Sequence, residues 1–143
     1  MTSMQVRLSA AMLVLLLTVA CGSSDADNLV GPGSDPNPAP NTPGISNVTD
    51  DFQFNLPNVT SYSTNGGYTW KNTGTTAKVT QSSSISSGSG TLVVRDSGGR
   101  IVYSKNLNEG GTVTTEAGPT GDWRIEMAPA NVSGTINYRV QKN

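Results

Sequence analysis

Period-two alternation of apolar and polar side chains is the feature that most limits what this chain can become. Phe52, Phe54 and Leu56 alternate with Gln53 and Asn55, and Tyr68 and Trp70 with Thr69 and Lys71. Ala77 and Val79 alternate with Lys78 and Thr80, Trp123, Ile125 and Met127 with Arg124 and Glu126, and Ile136, Tyr138 and Val140 with Asn137 and Arg139. A strand turns successive side chains to opposite faces, so each run makes one dry face and one wet one. No helix-period apolar stripe of useful length interrupts them in residues 46–143.

Turn residues separate the runs. Leu92 and Val94 precede Asp96-Ser97-Gly98-Gly99, and Ile101 and Tyr103 follow it, which predicts a hairpin. Asn108-Glu109-Gly110-Gly111 then leads into Val113 and Thr115. The pattern predicts an all-β domain over 46–143, an antiparallel β-sandwich or jelly roll of about eight strands. Its core is expected to hold the apolar members of all these runs, Ile101 and Val113 included. The low-complexity stretch from Ser82 to Gly90 reads as a mobile loop.

Ahead of this domain the composition changes twice. Met1 to Arg7 carries one positive charge, Leu8 to Val19 is mostly apolar, and Ala20 precedes Cys21, after which the chain turns polar. That is the layout of a secretory signal over residues 1–20; the apolar run falls short of the roughly 20 residues that cross a bilayer. Residues 21–45 are rich in Pro and Gly, carry acidic but no basic side chains, and bury too little to offset their ordering entropy. They read as a disordered, extended linker.

Thr18-Val19-Ala20-Cys21 resembles the lipobox of bacterial lipoproteins, with Thr18 standing where that family more often carries leucine. The resemblance implies cleavage before Cys21, acylation of its thiol (palmitate among the chains) and a lipid anchor in the bacterial cell envelope. Gly22 in place of an aspartate implies the outer membrane, by the rule of enteric bacteria. The membrane would then be the first partner, reached through acylated Cys21. Two or three acyl chains hold a protein stably, at about 0.8 kcal/mol per buried methylene. Residues 90–96, 118–125 and 133–140 are similar to the closing strands of bacterial pre-peptidase-type jelly-roll domains, although the acidic cluster often seen there is missing. Those domains are non-catalytic accessory modules.

Chemistry is narrowed by what the chain lacks. Its 143 residues hold no histidine and one cysteine, so histidine-activated nucleophiles, multi-cysteine metal sites and internal disulfides drop out. Nine basic and ten acidic side chains nearly cancel, which gives no footprint for nucleic acid. The domain carboxylates are Asp50, Asp51, Asp96, Glu109, Glu116, Asp122 and Glu126. Asp96 and Glu109 lie in turns, Glu126 alternates outward beside Arg124, and Asp50 and Asp51 read as the solvated end of the linker, with calcium as the rival reading. No catalytic residue, metal ligand or cofactor is assigned.

Aromatic residues remain. Trp70, Trp123, Tyr103 and Tyr138 fall in phase with aliphatic neighbours and belong to the core, whereas Tyr62 and Tyr68, flanking Asn65-Gly66-Gly67, are expected to be an exposed pair. These two are the candidate ligand contacts. The Asn-X-Ser/Thr triplets at Asn47, Asn58 and Asn131 read as products of an Asn- and Thr-rich composition. Together the residues suggest a non-enzymatic, lipid-anchored envelope protein that presents a small β-domain to an envelope protein or polysaccharide. A carbohydrate-binding module comes second, and a small carboxylate-dependent hydrolase third.

Overall fold

Alternation becomes strand wherever it was seen. The computed structural model describes residues 41–143; the segment read as a signal, Cys21 and most of the segment read as a linker lie outside the described residues. Eight strands follow one another: β1 (Gly44–Val48), β2 (Asp51–Tyr62), β3 (Gly66–Asn72), β4 (Ala77–Gln81), β5 (Ser84–Arg95), β6 (Ile101–Asn106), β7 (Gly111–Thr114) and β8 (Gly121–Lys142). No helix occurs among the described residues. All pairings are antiparallel, so the protein is all-β, consistent with a β-sandwich or jelly roll.

The 22-residue strand β8 is the spine. Along one side of it run β2, from Asp51 opposite Gln141 to Tyr62 opposite Val132, and then β3, from Gly66 opposite Met127 to Asn72 opposite Gly121. Along its other side run β4 and then β5, from Ala77 opposite Lys142 to Arg95 opposite Arg124. Outside these lie β1 on β2, β7 on β4 and β6 on β5. One half of the sheet is therefore β1-β2-β8-β4-β7, and the other half is β3-β8-β5-β6.

The halves fold onto one another. The Tyr68 ring of β3 lies 5.2 Å from that of Phe52 and 6.2 Å from that of Phe54, both on β2, a contact two strands running head to tail make only if the sheet doubles back between them. Register shifts mark the place: between Leu56 and Val59, Val59 and Tyr62, Ile85 and Ser87, and Ser87 and Ser89. Bulges of this kind bend a strand and increase its twist. Asn58, Ser61, Gly88, Asn131 and Gly134, all at the bend, have positive φ. A Cβ on Gly134 (φ 128°) would meet the Ser84 carbonyl oxygen at 2.1 Å, and one on Gly88 (φ 81°) the Asn131 carbonyl oxygen at 2.3 Å, so only glycine fits.

Hydroxyl groups complete the backbone hydrogen bonds that the bulges break. Ser133 Oγ accepts from Ser61 N (3.1 Å), Ser63 Oγ from Asn131 N (2.8 Å), and Ser83 Oγ from Asn137 N (3.0 Å). Ser86 Oγ donates to the Ser133 carbonyl (3.1 Å). Buried or half-buried backbone groups need partners, and short hydroxyl side chains supply them locally. This accounts for the Ser-rich stretch from Ser82, which from Ser84 onward is strand rather than the expected mobile loop.

Between the halves lies one apolar core. Trp70 and Trp123 face each other across β3 and β8, edge to face at 6.1 Å and both 0% exposed. Their indole N–H groups donate to the Val48 carbonyl (3.1 Å) and the Pro119 carbonyl (2.8 Å), the partners buried indoles require. Phe52, Phe54, Leu56, Leu92, Val94, Ile125, Ile136, Tyr138 and Val140 are buried with them.

Two expected core members are outside it. A register shift between Val94 and Arg95 sets Ile101 opposite Arg95 and brings Val102 in beside Tyr103, leaving Ile101 45% exposed. Val113 is exposed because β7 pairs with β4 alone and forms the edge of its half. The ordered edge also begins at Gly44, inside the segment read as linker, because β1 pairs with β2 from Gly44 onward.

Candidate functional site

Tyr62 closes β2 and Tyr68 lies two residues into β3, so the turn between these strands brings the two candidate tyrosines together. They are not an exposed pair: both are half-buried and pack against the core. Tyr68 is drawn down by Phe52 and Phe54, whose rings it tilts against at 40° and 50°. Its in-phase position with Trp70 was the sequence signal for this, and the neighbouring glycines were the misleading one.

Beneath the pair stands Tyr138. Its ring stacks on Phe54 at 5.1 Å (10° between planes) and on Phe52 at 6.1 Å, and it is 1% exposed. Among the described residues its hydroxyl has no hydrogen-bond partner. Burial pushes the Tyr138 ionisation well above the ordinary tyrosine range, and the nearby Tyr68 and Tyr62 hydroxyls push it further. Burial, then Tyr62, raises that of Tyr68 as well. The Tyr68 and Tyr138 hydroxyls thus stay protonated, with Tyr62 close by. An unmade hydrogen bond on a buried hydroxyl costs about 1–3 kcal/mol, so the Tyr138 oxygen is a polar group left unspent under the pair. Sequence reasoning placed Tyr138 in the core correctly, but nothing in a sequence shows that its hydroxyl goes unpaired.

No family model, no curated protein and no solved structure matches this chain. The site's own chemistry carries the functional argument.

Each carboxylate of the domain is already engaged. Asp50 accepts from Thr73 N and Thr73 Oγ1, both at 2.7 Å, and pairs with Lys142 at 3.3 Å. Asp51 grips Arg139 with both oxygens, at 2.9 and 2.6 Å. Asp96, 4% exposed, accepts from Gly98 N and Arg100 N at 3.0 Å and closes the β5–β6 turn. Glu109 caps its own turn by accepting from Asn106 Nδ2 (3.1 Å). Glu116 pairs with Arg100 at 2.8 Å, Asp122 with Lys71 at 3.9 Å, and Glu126 with Arg95 (3.1 Å) and Arg124 (2.8 Å).

At Asp50, Asp51, Glu109 and Glu126 these partners lower the carboxyl ionisation. The Thr73 amide lowers Asp50 and the Arg139 guanidinium lowers Asp51. Burial works against ionised Glu126, but Arg95 and Arg124 outweigh it and leave it lowered. Carboxylates held this way stay ionised, whereas a general acid needs a raised value. Asp50 and Asp51 spend their oxygens on Thr73, Lys142 and Arg139, which leaves little for calcium, and no group of three metal-ligating side chains occurs among the described residues.

The Asn-X-Ser/Thr triplets have structural explanations too. Asn58 (φ 53°) and Asn131 (φ 51°) occupy the left-handed region at bulges of the bend, where asparagine is favoured over most side chains. Asn47 Nδ2 donates to the Thr69 carbonyl at 2.9 Å and ties β1 to β3.

Proposed function

We propose that this chain is a non-enzymatic lipoprotein of the bacterial envelope, held on the outer membrane by acylated Cys21, whose β domain serves recognition or structural support. One observation carries the non-enzymatic part: all seven domain carboxylates serve turns, strand ends or ion pairs between strands. A carboxylate-dependent hydrolase gains no support from groups so committed, since glycoside cleavage needs two that face a common substrate about 5–9.5 Å apart. The anchor is supported by Thr18-Val19-Ala20-Cys21. Mass spectrometry of the wild-type chain and of Cys21→Ser tests it. The wild type should carry acyl mass and fractionate with membrane, and the variant should do neither. A wild-type chain without acyl mass, soluble like the variant, overturns the anchor.

A second reading, binding of a neutral sugar ring, is favoured by the unpaired Tyr138 hydroxyl beneath half-buried Tyr62 and Tyr68. Glycan-array binding that is lost in Tyr62→Ala and Tyr68→Ala, and weakened in Tyr138→Phe, would move this reading ahead. Binding indifferent to all three would remove it.

A further inference from the structure

The ribbon formed by β4 and β5 is covered unevenly on the side away from β8. β7 pairs with it up to Gln81, opposite Gly111, and β6 takes over at Thr91, opposite Asn106. Between those points lie residues 82–90 on the inner line and, on the outer one, residues 107–110, a short cut from β6 to β7. The cut is pinned at both ends: Leu107 N donates to the Gly90 carbonyl at 2.9 Å, and Gln81 Nε2 donates to the Asn106 and Glu109 carbonyls at 3.2 and 3.0 Å. Among the described residues, no backbone group of Ser84 to Ser89 pairs on this side. The segment is an open strand edge inside the sheet, bent by the shifts at Ile85/Ser87 and Ser87/Ser89, and most of its side chains are exposed.

Beside that edge lies a cleft of about 180 Å³, lined by Ile85, Gly88, Ser89, Gly90, Asn106 and Asn108. Pockets for whole drug-sized ligands run from about 300 Å³ upward, so this one suits a single side chain or residue of a longer molecule. None of its walls carries a charge, and half-buried Ile85 gives it an apolar floor. Serine and glycine along the edge leave room for another backbone to approach.

The geometry points to a strand-addition site. An extended peptide pairs with Ser84–Ser89 along the line that β6 and β7 leave vacant, and sets one uncharged apolar side chain into the cleft. Main-chain bonds give such complexes their affinity and the side-chain pocket gives selectivity. A charged side chain is disfavoured because no lining group would compensate its desolvation. The proposal deepens the recognition role proposed above by naming its partner as an extended, neutral polypeptide segment, and it rests on that reading but not on the anchor.

The test uses the full chain with the capped peptide acetyl-Thr-Val-Thr-Val-Thr-amide as probe. Backbone amide NMR shifts should saturate and cluster at Ser84–Gly90 and Asn106–Asn108. A probe N-methylated at alternate residues should bind at least tenfold more weakly, as should one with aspartate at the centre. Asn108→Trp, which fills the cleft from an exposed turn, should weaken binding at least fivefold with an unchanged melting temperature; should it misfold, the two altered probes still decide. Absence of saturable shifts up to millimolar probe, equal binding of the N-methylated probe, or shifts centred on Tyr62 and Tyr68 each overturn the proposal. A chain that is acylated but does not bind the peptide leaves the anchor standing, whereas one that binds without acyl mass overturns the anchor alone.

Discussion

The two folded halves of the sheet and the bend that joins them solve the same problem in different ways. In the halves, each strand satisfies its backbone through regular ladders and buries alternate side chains, with the Trp70–Trp123 pair at the centre of one half and Phe52, Phe54 and Tyr138 in the other. In the bend the ladder slips, left-handed residues appear, and hydroxyls of Ser63, Ser83 and Ser133 stand in for missing backbone partners. The halves are held by apolar burial and the bend by conformation and local hydrogen bonds. Composition follows mechanism: the Ser, Gly and Asn that look like low complexity are what a sheet needs in order to turn over on itself.

That contrast is open to attack from both sides. Truncation in a half should be the costliest change. Trp123→Ala removes a fully buried ring and its Pro119 bond, for an expected loss of about 3–5 kcal/mol. Against a typical total of about 5–15 kcal/mol, equilibrium urea unfolding should show a midpoint lowered by a large fraction or no cooperative transition at all.

In the bend, geometry should matter more than volume. Gly134→Ala combines a forbidden φ with a backbone contact of 2.1 Å, and should cost more than the roughly 1–3 kcal/mol of backbone strain alone. Gly99, in the β5–β6 turn, also has positive φ (85°) but nothing within 4 Å of an added Cβ; Gly99→Ala should cost only about 1–2 kcal/mol. Equal losses in the two variants, read from paired thermal melts, would show that the bend is no tighter than an ordinary turn.

The pH limits should separate the regions again. Asp50, Asp51, Glu109 and Glu126 are lowered by partners in the halves and at the β6–β7 turn. A lowered carboxylate contributes stability above its unfolded value, about 4, and loses it as pH falls through the folded one. Tyr68, Tyr103 and Tyr138 are raised above 10.0 chiefly by burial. They stay neutral in the fold while the unfolded chain ionises, so stability should fall as pH climbs past about 10. Denaturation midpoints between pH 2 and 12 (roughly the span of these titrations) should therefore form a plateau with both limbs descending.

The smallest effect is expected at the site itself. Tyr138→Phe deletes a hydroxyl with no partner among the described residues, so near neutral pH it should be neutral or slightly stabilising. The variant should also shed part of the alkaline limb. A loss above about 1 kcal/mol near neutrality would mean that the hydroxyl is hydrogen-bonded in solution, and would weaken the sugar-ring reading.

Legibility followed the same division. Phe52-Gln53-Phe54-Asn55-Leu56 and Trp123-Arg124-Ile125-Glu126-Met127 declare strands on sight, since burial of one face is a property of nearest neighbours along the chain. Ile101 misled because the extra residue Val102 interrupts the alternation, so that Ile101 and Tyr103 no longer share a face, and bulges are set by the partner strand. Ser84 to Ser89 misled because a polar, small-residue strand has the composition of a loop. Of the candidate site, Tyr62 and Tyr68 were visible as aromatic residues beside a turn, whereas the burial of Tyr68 depended on Phe52 and Phe54 arriving from the other half.

By itself, then, the sequence determined the fold class, the strands whose apolar and polar side chains alternate and the commitment of both tryptophans to the core, because these follow from local alternation and turn chemistry. Only the tertiary structure decided that one long strand serves both halves, that the Tyr138 hydroxyl is stranded beneath two half-buried tyrosines, and that part of β5 keeps an open edge. Those features arise from contacts between residues far apart in the chain, and the free energy of burying or pairing a group depends on what arrives beside it.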